Sequence, residues 1–303
     1  MPAAGRLIRA AVIATTALLL LGYVLGPIYW VFSSSVTAES ALVSKPIRFV
    51  PDAPSLRNFR AIFLYAEEKV TYDTRRQSDP SAGEFVPSAA QNLMPAMMNS
   101  LYVGVWVAAL NVIFSLTAAY AIARIRFRAR NAALFAILTT RVIPDIALAV
   151  PLFLVMRNLG LIDTREALIV TYLAVTLPFT VFILINYFES IPSDLDRAAR
   201  IDGCTHLQVL WHVFLPLGMP AIVASLLFAF LSSWNEFVLA LMTTKTMAAQ
   251  TLPIVISGFV FDFTTSFSFI NAAGVVAIVP PVVLAIAFER YIVGGLSAGA
   301  VKG

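Results

Sequence analysis

Few residues in this chain are equipped for chemistry, and their scarcity narrows the possibilities. There are two histidines, His206 and His212, and one cysteine, Cys204. They lie close together, but a zinc site takes about four ligands and the spacing fits no zinc pattern. They read as loop residues, with no metal expected. A lone cysteine excludes an internal disulfide. A phosphate-binding loop needs Gly-x-x-x-x-Gly-Lys followed by Ser or Thr. Of the four lysines, only Lys245 precedes such a residue, and it follows Thr244 rather than glycine. Nucleotide hydrolysis is therefore not expected of this chain, and no nucleophile or metal constellation points to an enzyme.

Three other constellations remain. Arg141 and Asp145 lie four residues apart inside an apolar run, a spacing that lets them pair on one helix face. Pro144 between them weakens the helix. Charge in an apolar environment is costly, so the pair reads as the lining of a solute path or a gate. The alternatives are a buried pair that locks packing, or an arginine snorkelling to an interface. Trp234, Asn235 and Glu236 set an aromatic ring beside hydrogen-bonding groups, which suits a sugar with one apolar face and many hydroxyls. Helix-to-helix hydrogen bonding and interface anchoring explain the same residues.

The third constellation runs from Ser193 to Pro216. Ser193 with Asp196 three residues on forms a capping-box pattern, Pro192 precedes it, and Gly203 stands where a helix ends in the left-handed conformation. The spacing predicts a short helix with Ala198, Ala199 and Ile201 against charged Arg197, Arg200 and Asp202. Such a helix either rests on a bilayer interface or docks into a partner's groove, where the alanines permit close approach.

The elements that position these residues are membrane spans. Hydrophobic residues make up 59% of the 303 residues and charged residues 13%, against about 25% charged in a soluble domain. Mean hydropathy is +0.85. A spanning helix needs about 20 mostly apolar residues, and six stretches qualify: 10–32, 99–123, 131–156, 167–188, 218–242 and 272–288. They are apolar on all sides, which a barrel strand is not. The first exceeds the usual apolar length of a signal peptide and closes on Tyr29 and Trp30, so it reads as a retained helix. With the N-terminus inside, Arg6, Arg9, Arg124, Arg126, Arg128, Arg130, Arg197, Arg200, Arg290 and Lys302 are cytoplasmic. The short outer loops hold only Arg157, Arg165 and Lys245. That asymmetry satisfies the positive-inside rule. The expected architecture is an all-α integral membrane protein with six transmembrane helices and both termini cytoplasmic. Residues 1–32 form the N-terminal segment and first span, 33–95 an extracytoplasmic segment, and 96–303 the core, with a cytoplasmic loop at 189–217 between spans four and five. The net charge of +4 is spread too thinly for a nucleic-acid face.

The segment Arg197-Ala198-Ala199, three residues, Gly203, nine residues, Val213-Phe214-Leu215-Pro216 resembles the signature of binding-protein-dependent ABC import permeases. Ala198, Ala199, Gly203, Leu215 and Pro216 match in register, Val213 stands for Ile, and Arg197 replaces the signature's Glu. Asn99-Ser100-Leu101, Trp234-Asn235-Glu236-Phe237, the stretch Phe49 to Phe59 and the tail Gly295 to Gly303 look like the maltose-permease type of the carbohydrate-uptake branch. The resemblance covers nearly the whole chain except roughly 66–88, which looks like an insertion.

What the resemblance implies is a permease subunit of the bacterial inner membrane. Its expected partners are a second homologous permease, two copies of an ABC ATPase that carry the ATP and Mg, an extracytoplasmic solute-binding protein, and lipid. No cofactor is expected on this chain. Residues 193–203 become a coupling helix, with Arg197, Ala198, Ala199, Asp202 and Gly203 at the ATPase contact. Leu215 and Pro216 orient the re-entry into span five. Rival readings are a permease for a glycerophosphate or an amino acid, and an ion-coupled carrier that needs no ATPase.

Overall fold

The computed structural model describes residues 3–64, 88–259 and 266–291. The expected insertion, but for its last residue, and the tail from Gly295 lie outside them. Every regular element among the described residues is helical, as long apolar stretches must be where lipid offers no hydrogen bonds to the backbone. In chain order they are α1 (Ala3–Ser35), α2 (Glu39–Leu42), α3 (Arg57–Leu64), a 3₁₀ turn (Ser88–Asn92), α4 (Leu93–Arg124), α5 (Arg130–Thr140), α6 (Asp145–Asn158), α7 (Arg165–Ser190), α8 (Ser193–Ile201), α9 (His206–Val209), a π turn (Leu210–Phe214), α10 (Leu215–Trp234), α11 (Val238–Thr243), α12 (Leu252–Gly258) and α13 (Phe267–Ala287).

Five of these stretches are long and apolar enough to cross a membrane, and α5 with α6 makes a sixth if the bent pair is one span. The chain divides into two compact units, residues 1–94 with 256–279 and residues 95–255 with 280–303. In the first unit the end of α1 is tied to the segment after it. Tyr29 and Ser33 donate to the Phe49 carbonyl at 3.1 and 2.9 Å, and Asn58 donates to the Ser35 carbonyl at 3.1 Å. Glu39 accepts the Ser268 backbone N–H at 2.9 Å, which satisfies an orphan donor in the first turn of α13.

The second unit is built on α4, α7 and α10. One apolar cluster gathers Leu116, Tyr120, Leu184, Phe188, Leu210 and Phe214, and another gathers Val103, Val107, Leu168, Tyr172 and Leu239. Along α4 and α7 the two are separated by a buried polar contact. Asn111 donates to Thr176 at 2.7 Å and accepts from Thr180, so α4 and α7 cannot slide without breaking satisfied bonds. Close approach to α10 is set by two glycines. A Cβ on Gly218 would stand 2.9 Å from the Phe188 ring, and one on Gly104 the same distance from Phe230.

Two expectations about the spans need correction. The third is not one helix. It breaks between Thr140 and Asp145, and the chain bends by 101° from α5 to α6. Pro144 has no N–H and pushes Ile143 out of the helical region, so the chain turns there. The fifth stops at Trp234, not Met242. It begins earlier, because the π turn runs directly into α10, with the Leu215 N–H reaching back to the Leu210 carbonyl. Pro216 can make no such bond, and the wider ring carries the chain past it.

Candidate functional site

Helix α8 forms where the sequence predicts it, with a different start. Pro192, extended at φ −56° and ψ 131°, takes the N-cap position and no side chain caps the helix there. The expected capping box of Ser193 and Asp196 is therefore absent: Ser193 is already helical. The box forms one element later, where the Thr205 side chain accepts from Gln208 N–H and Gln208 accepts from Thr205 N–H. Asp194 and Asp196 still sit in the first turn of α8, where they favour the helix dipole. The other end is as expected. Gly203 has φ +88°. Its N–H bonds to the Arg200 carbonyl at 3.1 Å, and the Cys204 N–H bonds to the Ala199 carbonyl at 3.0 Å. This is a Schellman ending, which satisfies carbonyls the helix would otherwise orphan.

The helix has two distinct sides. Leu195, Ala198, Ile201 and Asp202 point to solvent, Ile201 with 85% of its surface exposed. Ala199 and Cys204 pack on the apolar cluster beneath. Arg197 is exposed and pairs with Asp194 at 3.2 Å, a contact worth at most about 1 kcal/mol at such exposure. Leu215 and Pro216 open α10.

The base of this loop is anchored by residues that the signature does not contain. Arg124, the last residue of α4, donates to the carbonyls of Phe188 and Ile191 at the end of α7, and its guanidinium lies 4.8 Å over the Phe214 ring. Arg130 donates to the Ile122 carbonyl at 2.6 Å and to Glu189 at 2.6 Å. Tyr120 meets His206 Nδ1 at 3.2 Å. The end of α4, the end of α7 and the start of α10 are thus joined through one arginine. From sequence Arg124 reads only as an orientation marker closing an apolar run, and His206 only as a loop residue.

The candidate solute-path residues are dispersed differently from expectation. Arg141 is the C-cap of α5 and Asp145 opens α6, so they do not share a helix, and among the described residues no ion pair joins them. Arg141 instead lies 5.2 Å over the Phe179 ring and reaches the Val175 carbonyl at 3.5 Å. Trp234 is buried and stacked on Phe230 at 5.6 Å. Asn235 is exposed and donates to the Leu231 carbonyl at 2.8 Å. Glu236 lies past the end of α10 and caps α11, accepting the N–H groups of Leu239 and Ala240 at 2.9 and 3.1 Å. No group of three or more metal-ligating side chains occurs among the described residues.

One polar joint was not foreseen. Asp163, at φ 64°, accepts from the N–H groups of Lys245 and Thr246 at 2.7 and 2.9 Å and from the Thr246 hydroxyl at 2.7 Å. Burial pushes its carboxyl up, but the Thr246 and Lys245 N–H groups, the hydroxyl and the Lys245 charge outweigh it. The pKa is held below its usual value.

By fold and apolar length the chain is, as a class, a multi-span helical membrane protein, with a short surface helix braced against the ends of three spans. Comparison with known proteins agrees. Residues 111–297 match the family described as the binding-protein-dependent transport system inner membrane component. The sulfoquinovosyl glycerol transport system permease protein SmoH of Agrobacterium fabrum is 36% identical over 96% of this chain and 93% of its own length. The trehalose transport system permease protein SugB of Mycobacterium tuberculosis is 33% identical over 97% of this chain and 98% of its own. A bacterial ABC transporter involved in the import of the acidic polysaccharide alginate has a chain of the same fold, with TM-score 0.76 and 23% identity over 96% of this chain and 99% of that one. The chain belongs to the inner-membrane components of binding-protein-dependent transport systems.

Proposed function

We propose that this protein is the permease subunit of an ATP-driven importer of a sugar or related polyol, with six spans, both termini in the cytoplasm and α8 on the cytoplasmic face. In this reading it works with a second permease, two ABC ATPase subunits that hold ATP and Mg, and an extracytoplasmic solute-binding protein. The observation that carries the reading is α8 itself: its outer side is bare while its base is braced to α4, α7 and α10. A helix so held cannot move alone. When the ATPase pair closes on ATP, the exposed side formed by Leu195, Ala198, Ile201 and Asp202 is pushed, and the three spans move with it as a rigid body between inward- and outward-open states. Ala198 and Gly203 offer no bulk to hold the partner off. The names of the relatives, which refer to sulfoquinovosyl glycerol and trehalose, support a carbohydrate cargo.

The path for that cargo runs, in our reading, past the broken third span. Arg141 and Asp145 flank the break and present charge there, and Asn235 adds an exposed amide. Trp234 and Glu236 shape the wall from behind, through Phe230 and the cap of α11.

The test is uptake by the assembled complex reconstituted in vesicles. Gly203→Asp places a bulky charge at a surface contact and a side chain at φ +88°. Uptake is expected to fall at least tenfold with the complex expressed and the ATPase still able to hydrolyse ATP. Normal transport by this variant, or uptake driven by an ion gradient without any ATPase, overturns the proposal.

A further inference from the structure

Between the end of α4 and the inner side of α8 lies a cleft of about 720 Å³ whose lining includes Arg124, Arg126, Arg130, Arg197, Arg200 and Asp196. On α8 the lining residues follow helical spacing at 196, 197 and 200, so they form one side of that helix, distinct from the bare outer side. Five guanidinium groups converge here. Three carboxylates answer them: Asp196 within the cleft, and Glu189 and Asp194 on its rim, paired with Arg130 and Arg197. Two positive charges are left over. Arg126 and Arg200 have no hydrogen-bond or ion-pair partner among the described residues. Behind the lining, Arg124 Nε and Asp196 Oδ1 are buried without a hydrogen-bond partner, and the Asp196 carboxylate also lies beside the Tyr120 hydroxyl. Buried polar atoms without partners are rare in proteins, and here they are one donor and one acceptor behind the same basic cleft.

We propose that this cleft is a binding site for a phosphate ester that carries a free hydroxyl, with the phosphate on the exposed guanidinium groups of Arg126 and Arg200 and the hydroxyl donating to the Asp196 carboxylate. Guanidinium groups match phosphate oxygens in number and geometry. A carboxylate in the lining accepts from a hydroxyl and repels bare phosphate, so it selects a ligand that carries a hydroxyl donor. The cleft opens where the apolar stretches of α4 and α7 stop. There a headgroup of the glycerol-phosphate kind meets both requirements, and basic pockets between spans hold anionic headgroups by this chemistry. A soluble glycerol phosphate presents the same groups.

The assembled complex in phosphatidylcholine nanodiscs is titrated with phosphatidylglycerol, sn-glycerol 1-phosphate and inorganic phosphate, and melting temperature and retained lipid by native mass spectrometry are read. A saturable rise with phosphatidylglycerol alone assigns the site to lipid, and a rise with both glycerol compounds assigns it to the free ester. The double variant Arg126→Gln/Arg200→Gln, at exposed positions, is expected to melt normally without added ligand and to lose at least tenfold in apparent affinity. The site is refuted if no probe raises the melting temperature, or if the double variant binds as the wild type does. It is equally refuted if a photo-crosslinker at position 200 reacts only with the ATPase and no probe competes. These readouts need no transport, so failure here leaves the permease reading standing.

Discussion

At the scale of single residues, the side chains with most to lose are those that hold backbone ends together. Arg124 satisfies two carbonyls at the end of α7 and stacks on Phe214. Removing it orphans those carbonyls, and each hydrogen bond from a charged donor contributes about 1.5–3 kcal/mol. We expect Arg124→Met to lower stability by about 2–4 kcal/mol, seen as a lower melting temperature in detergent. Arg124→Lys should recover only part of this, because an ammonium cannot reproduce the planar fork. Asp163 gives a pH signature. Its folded pKa lies below the ordinary value of 3.8, so its ionised form stabilises the fold at pH above that value. That contribution is lost as pH falls through the folded pKa. Asn tolerates the left-handed backbone there. Melting temperatures of wild type and Asp163→Asn should therefore differ at neutral pH and converge below 3.8. A gap that stays constant down to strong acid would remove the charge from the explanation.

At the scale of elements, the break between α5 and α6 is the least regular feature of the spans. Pro144 with Ile143 accounts for it locally, and α7 supports it through the contact of Arg141 with Phe179 and Val175. Pro144→Ala restores an N–H and frees Ile143 to be helical. Spin labels at positions 135 and 150 should then move apart as the 101° bend straightens, measured by pulsed electron resonance. An unchanged distance would mean that packing, not proline, sets the bend. The sequence carried a partial warning. Proline inside an apolar run is a known breaker, but Arg141 and Asp145 at helical spacing argued for continuity. Spacing cannot reveal a break that falls between the two.

At the scale of the molecule, the membrane class, the span positions other than the third and fifth, and the small helix with its left-handed glycine were legible, because each rests on local pattern: apolar length, or a glycine just past a short helical stretch. The brace beneath α8 was not legible. Arg124 meets Phe188 and Ile191 across more than sixty residues, and nothing in the local pattern marks a carbonyl left unpaired at a helix end far along the chain. Glu236 was misplaced for a related reason: an uninterrupted apolar run hides a helix end when the capping residue is itself inside the run. The orientation proposed for the whole chain has a native reporter in Cys204, its one thiol, beside α8. A membrane-impermeant maleimide should label it in inside-out vesicles and not in right-side-out ones. The reverse pattern would turn the topology over and detach α8 from any cytoplasmic motor.

The π turn at Leu210–Phe214 bears on how related sequences can differ in length. A ring closed by an i→i+5 bond holds one residue more than the ring of an ordinary helix. Loss of one residue inside this turn would regularise it and leave the sides of α10 facing where they do now. Loss of one residue within α10 itself would swing everything beyond it by about 100° and turn Ser225 and Ala229 out of the interior. Because the signature fixes the spacing from Gly203 to Pro216, the extra residue of this ring should be kept across the family, and single-residue gaps should be rare both there and within α10.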